Sequence, residues 1–126
     1  MSRDILLDTH TLLWVLQGSP QLQHAKPHIA QARAVYASMA SWWEISIKAT
    51  LGKLNVDPKQ SWREAKLVGI HILPIEIAHC QTLLTLPMIH RDPFDRMLVA
   101  QSLSEDLPLL THDATVAQYS DQIILF

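Results

Sequence analysis

Five carboxylates occupy comparable places along the 126-residue chain, just after short apolar runs or near the starts of predicted helices. They are Asp8, Glu44, Asp92, Asp95 and Asp113. Carboxylates that lie within reach of one another repel, and they raise each other's pKa values unless a cation lies among them. A hard divalent ion such as Mg²⁺ or Mn²⁺ prefers oxygen ligands of this kind. Such an ion can activate water and stabilise the leaving oxygen of a phosphodiester, so the pattern indicates metal-assisted hydrolysis.

The elements that must position these acids alternate between short apolar strands and helices. The predicted strands cover residues 5–7, 34–37, 71–74, 107–111 and 122–126, and the predicted helices cover 11–17, 21–32, 41–51, 58–68, 77–86, 92–105 and 114–119. This alternation is typical of an α/β fold with a mostly parallel sheet. The strands are apolar throughout, as expected when helices cover both sheet faces. Parallel strands end on one edge of the sheet, where ligands bind in such folds, so we expect all five acids there.

Each acid also has a structural interpretation. The segment SWWE (41–44) has the spacing of a capping box, in which Glu44 would serve only to begin a helix. The segment DPFD (92–95) has an N-cap residue, a proline at the first helical position and a first-turn acid. Asp113 could cap the turn that follows it. Asp8 is the hardest to explain in this way, because no capping sequence follows it, and capping does not require an acid at every strand end.

Composition limits the class of protein. Apolar residues make up 48% and charged residues 17% of the chain, which excludes a disordered protein. No apolar run reaches the roughly 18 residues of a membrane helix, and the beginning of the sequence lacks secretory-signal features. We therefore expect one domain over residues 1–126, located in the cytoplasm. The single cysteine, Cys80, cannot form an intramolecular disulfide and is predicted to lie in the core.

Four segments carry a resemblance to a known family. LLDTHTLLW, SWWEISIKATLGKL, HRDPFDRMLVAQ and LPLLTHD together extend over nearly the whole chain. They are similar to segments of PIN-domain ribonucleases, in particular the VapC-like toxins of type II toxin–antitoxin pairs. The resemblance implies a three-layer α/β/α sandwich with a mostly parallel central sheet, endoribonuclease activity that depends on Mg²⁺ or Mn²⁺, homodimers, and inhibition by a cognate antitoxin.

The resemblance also assigns roles to individual residues. It implies that four acids bind the metal and are catalytic, namely Asp8, Glu44, Asp95 and Asp113. The first three would hold one ion, with Asp113 on that ion or on a second. Asp113 follows Thr111 as in the family's T-x-D motif, and Asp92 belongs to an RDPFD variant in which it would be an accessory acid.

Other side chains near the acids are secondary candidates. The net charge of −2 argues against a bulk basic nucleic-acid binder, so contacts with the RNA backbone would need local cations. The candidates are Lys48, Lys53, Arg91 and Arg96, although Lys48 could instead only pair with Glu44. Three histidines, His10, His90 and His112, could ligate metal or move protons, or only hydrogen-bond locally. Three tryptophans, Trp14, Trp42 and Trp43, could stack on bases, but we favour a place for them in the core or in a subunit interface.

Three other functions were weighed against this one. An aspartyl-phosphate phosphatase would need an acid two residues after Asp8, where this chain has His10. A phospho-receiver module would need adjacent acids after the first strand, but Thr9 follows Asp8. The remaining alternative is a PIN-like protein-binding scaffold without catalytic activity, and only an activity assay separates it from the enzyme.

Overall fold

A computed structural model describes residues 3–126, and five short strands in it form one sheet. The strands are β1 (Ile5–Leu7), β2 (Val35–Ser38), β3 (His71–Leu73), β4 (Leu109–Thr111) and β5 (Ile124–Leu125). Their order in the sheet is β3-β2-β1-β4-β5, and all four pairings are parallel. The predicted mostly parallel α/β sheet is confirmed.

Helices cover both faces of this sheet and complete a three-layer α/β/α sandwich. They are α1 (Thr9–Gln17), α2 (Lys26–Gln31), α3 (Met39–Thr50), α4 (Pro58–Leu67), α5 (Ile77–Leu83), α6 (Pro93–Ser104) and α7 (Ala114–Ala117). Successive strand residues point to opposite faces. Ile5 and Leu7 therefore pack into one apolar cluster with α1, α3 and α4, whereas Leu6 packs into a second cluster with α6 and α7. Burial of β1 on both faces explains why its sequence is apolar at every position.

The order of the strands reverses at β1. The chain builds outward from β1 through β2 to β3, and it then returns to the other side of β1 with β4 and β5. In open α/β sheets, ligands bind beyond the carboxyl ends of the strands at such a reversal. Asp8 directly follows β1, and Asp113 lies two residues beyond β4. The topology thus brings these two acids to the same end of two neighbouring strands.

Some predicted boundaries are wrong, and proline accounts for the largest difference. The helix predicted over 21–32 is divided into a 3₁₀ turn, Pro20–Leu22, and the short helix α2. Pro27 lacks a backbone N–H and is accommodated only in the first turn of α2, so a helix cannot run through it unbroken. The helices predicted over 77–86 and 114–119 end earlier, at Leu83 and Ala117.

Cys80 is exposed, contrary to the prediction that it lies in the core. It follows His79, which is fully buried, so α5 turns that neighbouring residue inward and Cys80 outward.

Across residues 3–126, none of the helices combines the length and the apolar character needed to cross a membrane.

Candidate active site

Asp8 is held rigidly at the end of the central strand. Its side chain is only 4% exposed, and it is the N-cap residue of α1. Its Oδ1 atom accepts a hydrogen bond from the backbone N–H of Thr11 at 2.9 Å, and Oδ2 accepts one from the hydroxyl of Thr111 at 2.6 Å. The expectation that Asp8 has no capping role is therefore wrong. Both oxygens are oriented by these donors, yet each carboxylate oxygen has a further lone pair to offer.

Glu44 lies in the second turn of α3 and does not begin the helix. The N-cap residue is Ser38, whose hydroxyl accepts from the backbone N–H of Ala40 at 3.0 Å. The hydroxyl of Ser41 instead accepts a 2.9 Å hydrogen bond from Thr9, at the beginning of α1. The capping box predicted for residues 41–44 is therefore wrong, because α3 begins earlier than the sequence suggested. Glu44 has no capping duty to explain its presence.

The carboxylate of Glu44 is buried, and only one of its two oxygens accepts a hydrogen bond. The residue is 3% exposed, and its Oε2 atom accepts a 2.6 Å hydrogen bond from the ammonium of Lys48. Its Oε1 atom is also buried and has no hydrogen-bond partner among residues 3–126. A buried carboxylate oxygen without a partner is costly. The hydrogen bond from Lys48 to Glu44 raises the pKa of Lys48 above its usual value, and the charges of Asp92 and Asp95 act in the same direction.

Asp92 and Asp95 occupy the first turn of α6, as the sequence predicted. The side chain of Asp92 is the N-cap, and its Oδ1 atom accepts from the backbone N–H groups of Phe94 at 2.9 Å and Asp95 at 3.1 Å. Pro93 stands at the start of the helix, where its missing N–H costs nothing. The cap leaves the carboxylate of Asp95 free to take part in chemistry.

The pKa of Asp95 shows that these acids share one electrostatic environment. This pKa is raised from 3.8 to about 6, chiefly by burial and then by the charges of Asp92, Asp8 and Glu44, in that order. The contact with His90, whose Nε2 atom lies 3.5 Å from Oδ2 of Asp95, acts in the opposite direction. Carboxylates at the end of β1, on α3 and at the start of α6 thus all act on the charge of Asp95.

Asp113 adjoins Asp8 on the β4 side. Its exposed side chain caps α7 by accepting from the backbone N–H of Thr115 at 2.8 Å, which is the structural role considered for it. Its own backbone N–H donates to the hydroxyl oxygen of Thr111 at 3.1 Å. Asp113 and Asp8 line the same cleft, together with His10 and other residues. The site therefore has two parts that meet at Asp8.

Tyr119, which sequence reasoning did not select, organises the segment before α6. The hydroxyl of Tyr119 accepts from the backbone N–H of His90 at 3.1 Å and from the guanidinium of Arg96 at 3.0 Å, and it lies 2.8 Å from Nδ1 of His90. Arg96 also donates to the carbonyl of Pro87 at 2.8 Å. Arg96 thus uses two hydrogen bonds to hold the segment before α6. The other two cation candidates, Lys53 and Arg91, are exposed.

The donor set suits a hard divalent cation, because every candidate ligand is a carboxylate oxygen and one of them, Oε1 of Glu44, is buried and unpartnered. In the positions that residues 3–126 occupy here, no three His, Cys, Asp or Glu side chains are arranged so that they could hold an ion. Lys48 bonds to Glu44 at the place where the negative charge is concentrated. Ion binding thus requires side-chain movement. Lys48 competes most directly with an ion, because its ammonium already bonds Glu44.

Comparisons with known proteins bear on the fold and the family. No curated protein matched the sequence. Similar solved structures include VapBC2 from Rickettsia felis bound to a promoter DNA fragment (11% identity, TM-score 0.70, covering 98% of this chain and 97% of that one). A toxin–antitoxin complex from Klebsiella pneumoniae is 18% identical, with a TM-score of 0.68 and 95% of each chain covered. FitAcB from Neisseria gonorrhoeae is 20% identical, with a TM-score of 0.67 and coverage of 97% and 96%.

At these identities the likeness to solved structures establishes the fold alone. The family is established by a sequence model of the PIN domain, which matches residues 5–122. That range includes β1, the three helices that carry Asp8, Glu44 and Asp95, and β4 with Asp113. The chain belongs to the PIN domain family.

Proposed function

We propose that this protein is an endoribonuclease that depends on Mg²⁺ or Mn²⁺ and hydrolyses RNA phosphodiesters. The family is of the nuclease type, which supports the general class of activity. The observation that carries the proposal is the raised pKa of Asp95, caused by burial and by the charges of Asp92, Asp8 and Glu44. Mutually repelling carboxylates in a half-buried site destabilise the fold, and a bound cation would remove that cost.

Each acid has a definite part in this proposal. Asp8, Glu44 and Asp95 hold the first ion, and Asp113 contributes to that ion or to a second. When bound, the ion supplies Lewis-acid stabilisation of the charge that develops on the phosphodiester and activates the attacking water. Asp92 keeps the first turn of α6 in place and adds negative charge beside Asp95.

The remaining residues orient the acids or attract the substrate. Thr111 fixes the orientation of the Asp8 carboxylate, so this ligand loses little conformational freedom on binding. Lys48 pairs with Glu44, and it would be free to contact a phosphate if Glu44 held an ion instead. The cations Lys53 and Arg91 would contact the RNA backbone, whose binding is dominated by charge, and their exposure is compatible with this role.

The experiment that tests the activity compares RNA cleavage by matched variants in Mn²⁺ and in chelator. We expect the wild type to cleave only with the metal, and Asp8→Asn to lose cleavage by at least about a hundredfold, because one charged ligand is gone. Asp57→Asn is the matched control, because Asp57 is also an N-cap aspartate but is exposed and makes no side-chain capping bond. Circular dichroism would show that both variants remain folded. Equal cleavage by wild type and Asp8→Asn would refute the assignment, and no cleavage by the wild type would favour the scaffold alternative.

We further propose that the protein is the toxin of a type II toxin–antitoxin pair, acting in the cytoplasm as a homodimer and inhibited by a cognate antitoxin. The Klebsiella pneumoniae structure is a toxin–antitoxin complex with the same fold, which supports such a partner. Induction of the gene should arrest growth, and co-expression of the product of the adjacent gene should restore it. Arrest that persists with Asp8→Asn would contradict a toxicity based on cleavage.

A further inference from the structure

A second recess opens beside the acids at the point where the strand order reverses. It has a volume of about 450 Å³, and its walls include Asp8, His10, Trp14, Gln21, His112 and Asp113. We call this recess the base cleft. It lies beyond the carboxyl ends of β1 and β4, which is the position where open α/β sheets bind their ligands. Its volume falls within the roughly 300–1,000 Å³ that is usual for ligand sites.

The walls of the base cleft are rich in flat aromatic rings. The Trp14 ring centroid lies 6.2 Å from that of His10 and 5.7 Å from that of His112, with the His112 ring nearly edge-on. Trp14 is partly buried and packs against the core cluster on the α1 face, and Phe126 contacts both Trp14 and His112. A carbonyl oxygen of Phe126 bonds Nδ1 of His112. These contacts fix the indole and one imidazole, while His10 remains exposed.

The charges around the base cleft select against one part of a nucleotide and favour another. In the absence of a bound ion, the carboxylates of Asp8 and Asp113 repel a phosphate in the cleft. A neutral heteroaromatic base meets no such repulsion, and its faces can stack on aromatic side chains. The amide of Gln21 and the two imidazoles offer both donors and acceptors to a base edge.

We propose that the base cleft holds a nucleobase of single-stranded RNA next to Asp8 and Asp113. This inference rests on the proposed ribonuclease function and adds to it a source of specificity. A base held in the cleft fixes which phosphodiester reaches the acids. The enzyme should consequently prefer one kind of nucleotide beside the cut.

His10 offers the cleanest test, because its side chain is exposed and its removal does not disturb the core. Binding of fluorescein-labelled RNA hexamers of A, C or U is measured by anisotropy in chelator, where the RNA stays intact. His10→Ala should weaken binding of the preferred hexamer by at least about fivefold, the loss expected for one stacked base. His10→Phe should bind within about twofold of the wild type, because its ring still stacks. His24→Ala is the matched control, since His24 is an exposed histidine outside the cleft and should bind as the wild type does.

A second arm sequences the ends of a random RNA pool after cleavage in Mn²⁺. The wild type should show a nucleotide preference beside the cut that is reduced in His10→Ala. If the wild type cleaves nothing, the proposed function fails, and the anisotropy arm still decides whether the cleft binds a base. The base cleft is overturned if no hexamer binds the wild type. It is equally overturned if His10→Ala matches the wild type in affinity and in cut-site preference.

Discussion

The hydroxyl group of Thr111 donates a 2.6 Å hydrogen bond to Oδ2 of Asp8, between the ends of the neighbouring strands β4 and β1. The same hydroxyl oxygen accepts the backbone N–H of Asp113 at 3.1 Å. One small side chain thus fixes the positions of two acids that are 105 residues apart in the chain. The T-x-D spacing at β4 is explained by this geometry, because the threonine orients an acid on another strand as well as the one two residues ahead.

Replacing Thr111 with valine should damage the site while preserving its shape. The buried Asp8 carboxylate would lose a donor and the N–H of Asp113 an acceptor, which we expect to lower the free energy of unfolding by about 1–3 kcal/mol. RNA cleavage should fall roughly 10- to 100-fold, the usual effect of removing a group that orients a metal ligand. Urea unfolding and initial cleavage rates measure the two effects. Thr50→Val, which removes an exposed hydroxyl in α3, is the control and should change neither. Wild-type cleavage by Thr111→Val would mean that Asp8 needs no such support.

The raised pKa of Asp95 predicts a pH-dependent stability in the absence of metal. Because this pKa is about 6 in the folded state and 3.8 is its usual value in an unfolded chain, the native protein binds more protons than the unfolded chain between about pH 4 and 6. The stabilisation from Asp95 is therefore present at low pH and is lost as the pH rises through 6.

Asp95→Asn lacks this contribution and isolates it. In chelator, the free energy of unfolding of the variant should rise relative to that of the wild type as the pH rises from 4 to 7. The expected change is roughly 1–2 kcal/mol, because solvent partly screens the charge of this partly exposed side chain. Urea unfolding of both proteins across that range measures the difference. A difference that does not change with pH would show that Asp95 titrates normally.

The ion pair between Lys48 and Glu44 predicts that removing the lysine strengthens metal binding. The ammonium bonds Glu44 at 2.6 Å and is held by negative neighbours, so an arriving cation must displace it. Lys48→Met keeps the length of the side chain and removes the charge. Calorimetric titration with Mn²⁺ should show affinity higher by roughly three- to tenfold, the effect of about 1 kcal/mol of competing interaction. Lys53→Met is the control. Unchanged or weaker Mn²⁺ binding by Lys48→Met would indicate that the lysine does not compete for the site.

The sequence predicted the parts of the site that depend on strand position. A run such as Ile5–Leu7 is apolar at every residue, so its burial and the position of Asp8 at its end follow from local pattern. The first turn of α6 was predicted for the same reason, because Asp92, Pro93 and Asp95 form a local signal that tertiary packing does not override. Such features need no knowledge of the rest of the fold.

The features that sequence reasoning missed depend on contacts between distant segments. SWWE has the spacing of a capping box, but Ser38 takes the N-cap because β2 runs directly into α3, and Ser41 bonds Thr9 instead. Tyr119 contacts His90 and Arg96, which lie 29 and 23 residues away in the sequence, and no local pattern around Tyr119 predicts these contacts. The burial of Glu44 likewise becomes evident only once the helix face is known, whereas its pairing with Lys48 follows from the four-residue spacing.

The central claim is that Asp8, Glu44 and Asp95 form one pocket for a divalent cation. It is tested most directly by crystals grown with Mn²⁺ and measured near the manganese absorption edge. We predict an anomalous difference peak in contact with carboxylate oxygens of Asp8, Glu44 and Asp95, with the ammonium of Lys48 withdrawn from Glu44. A map with no peak among these three acids, and Lys48 still bonded to Glu44 at saturating Mn²⁺, would contradict the account.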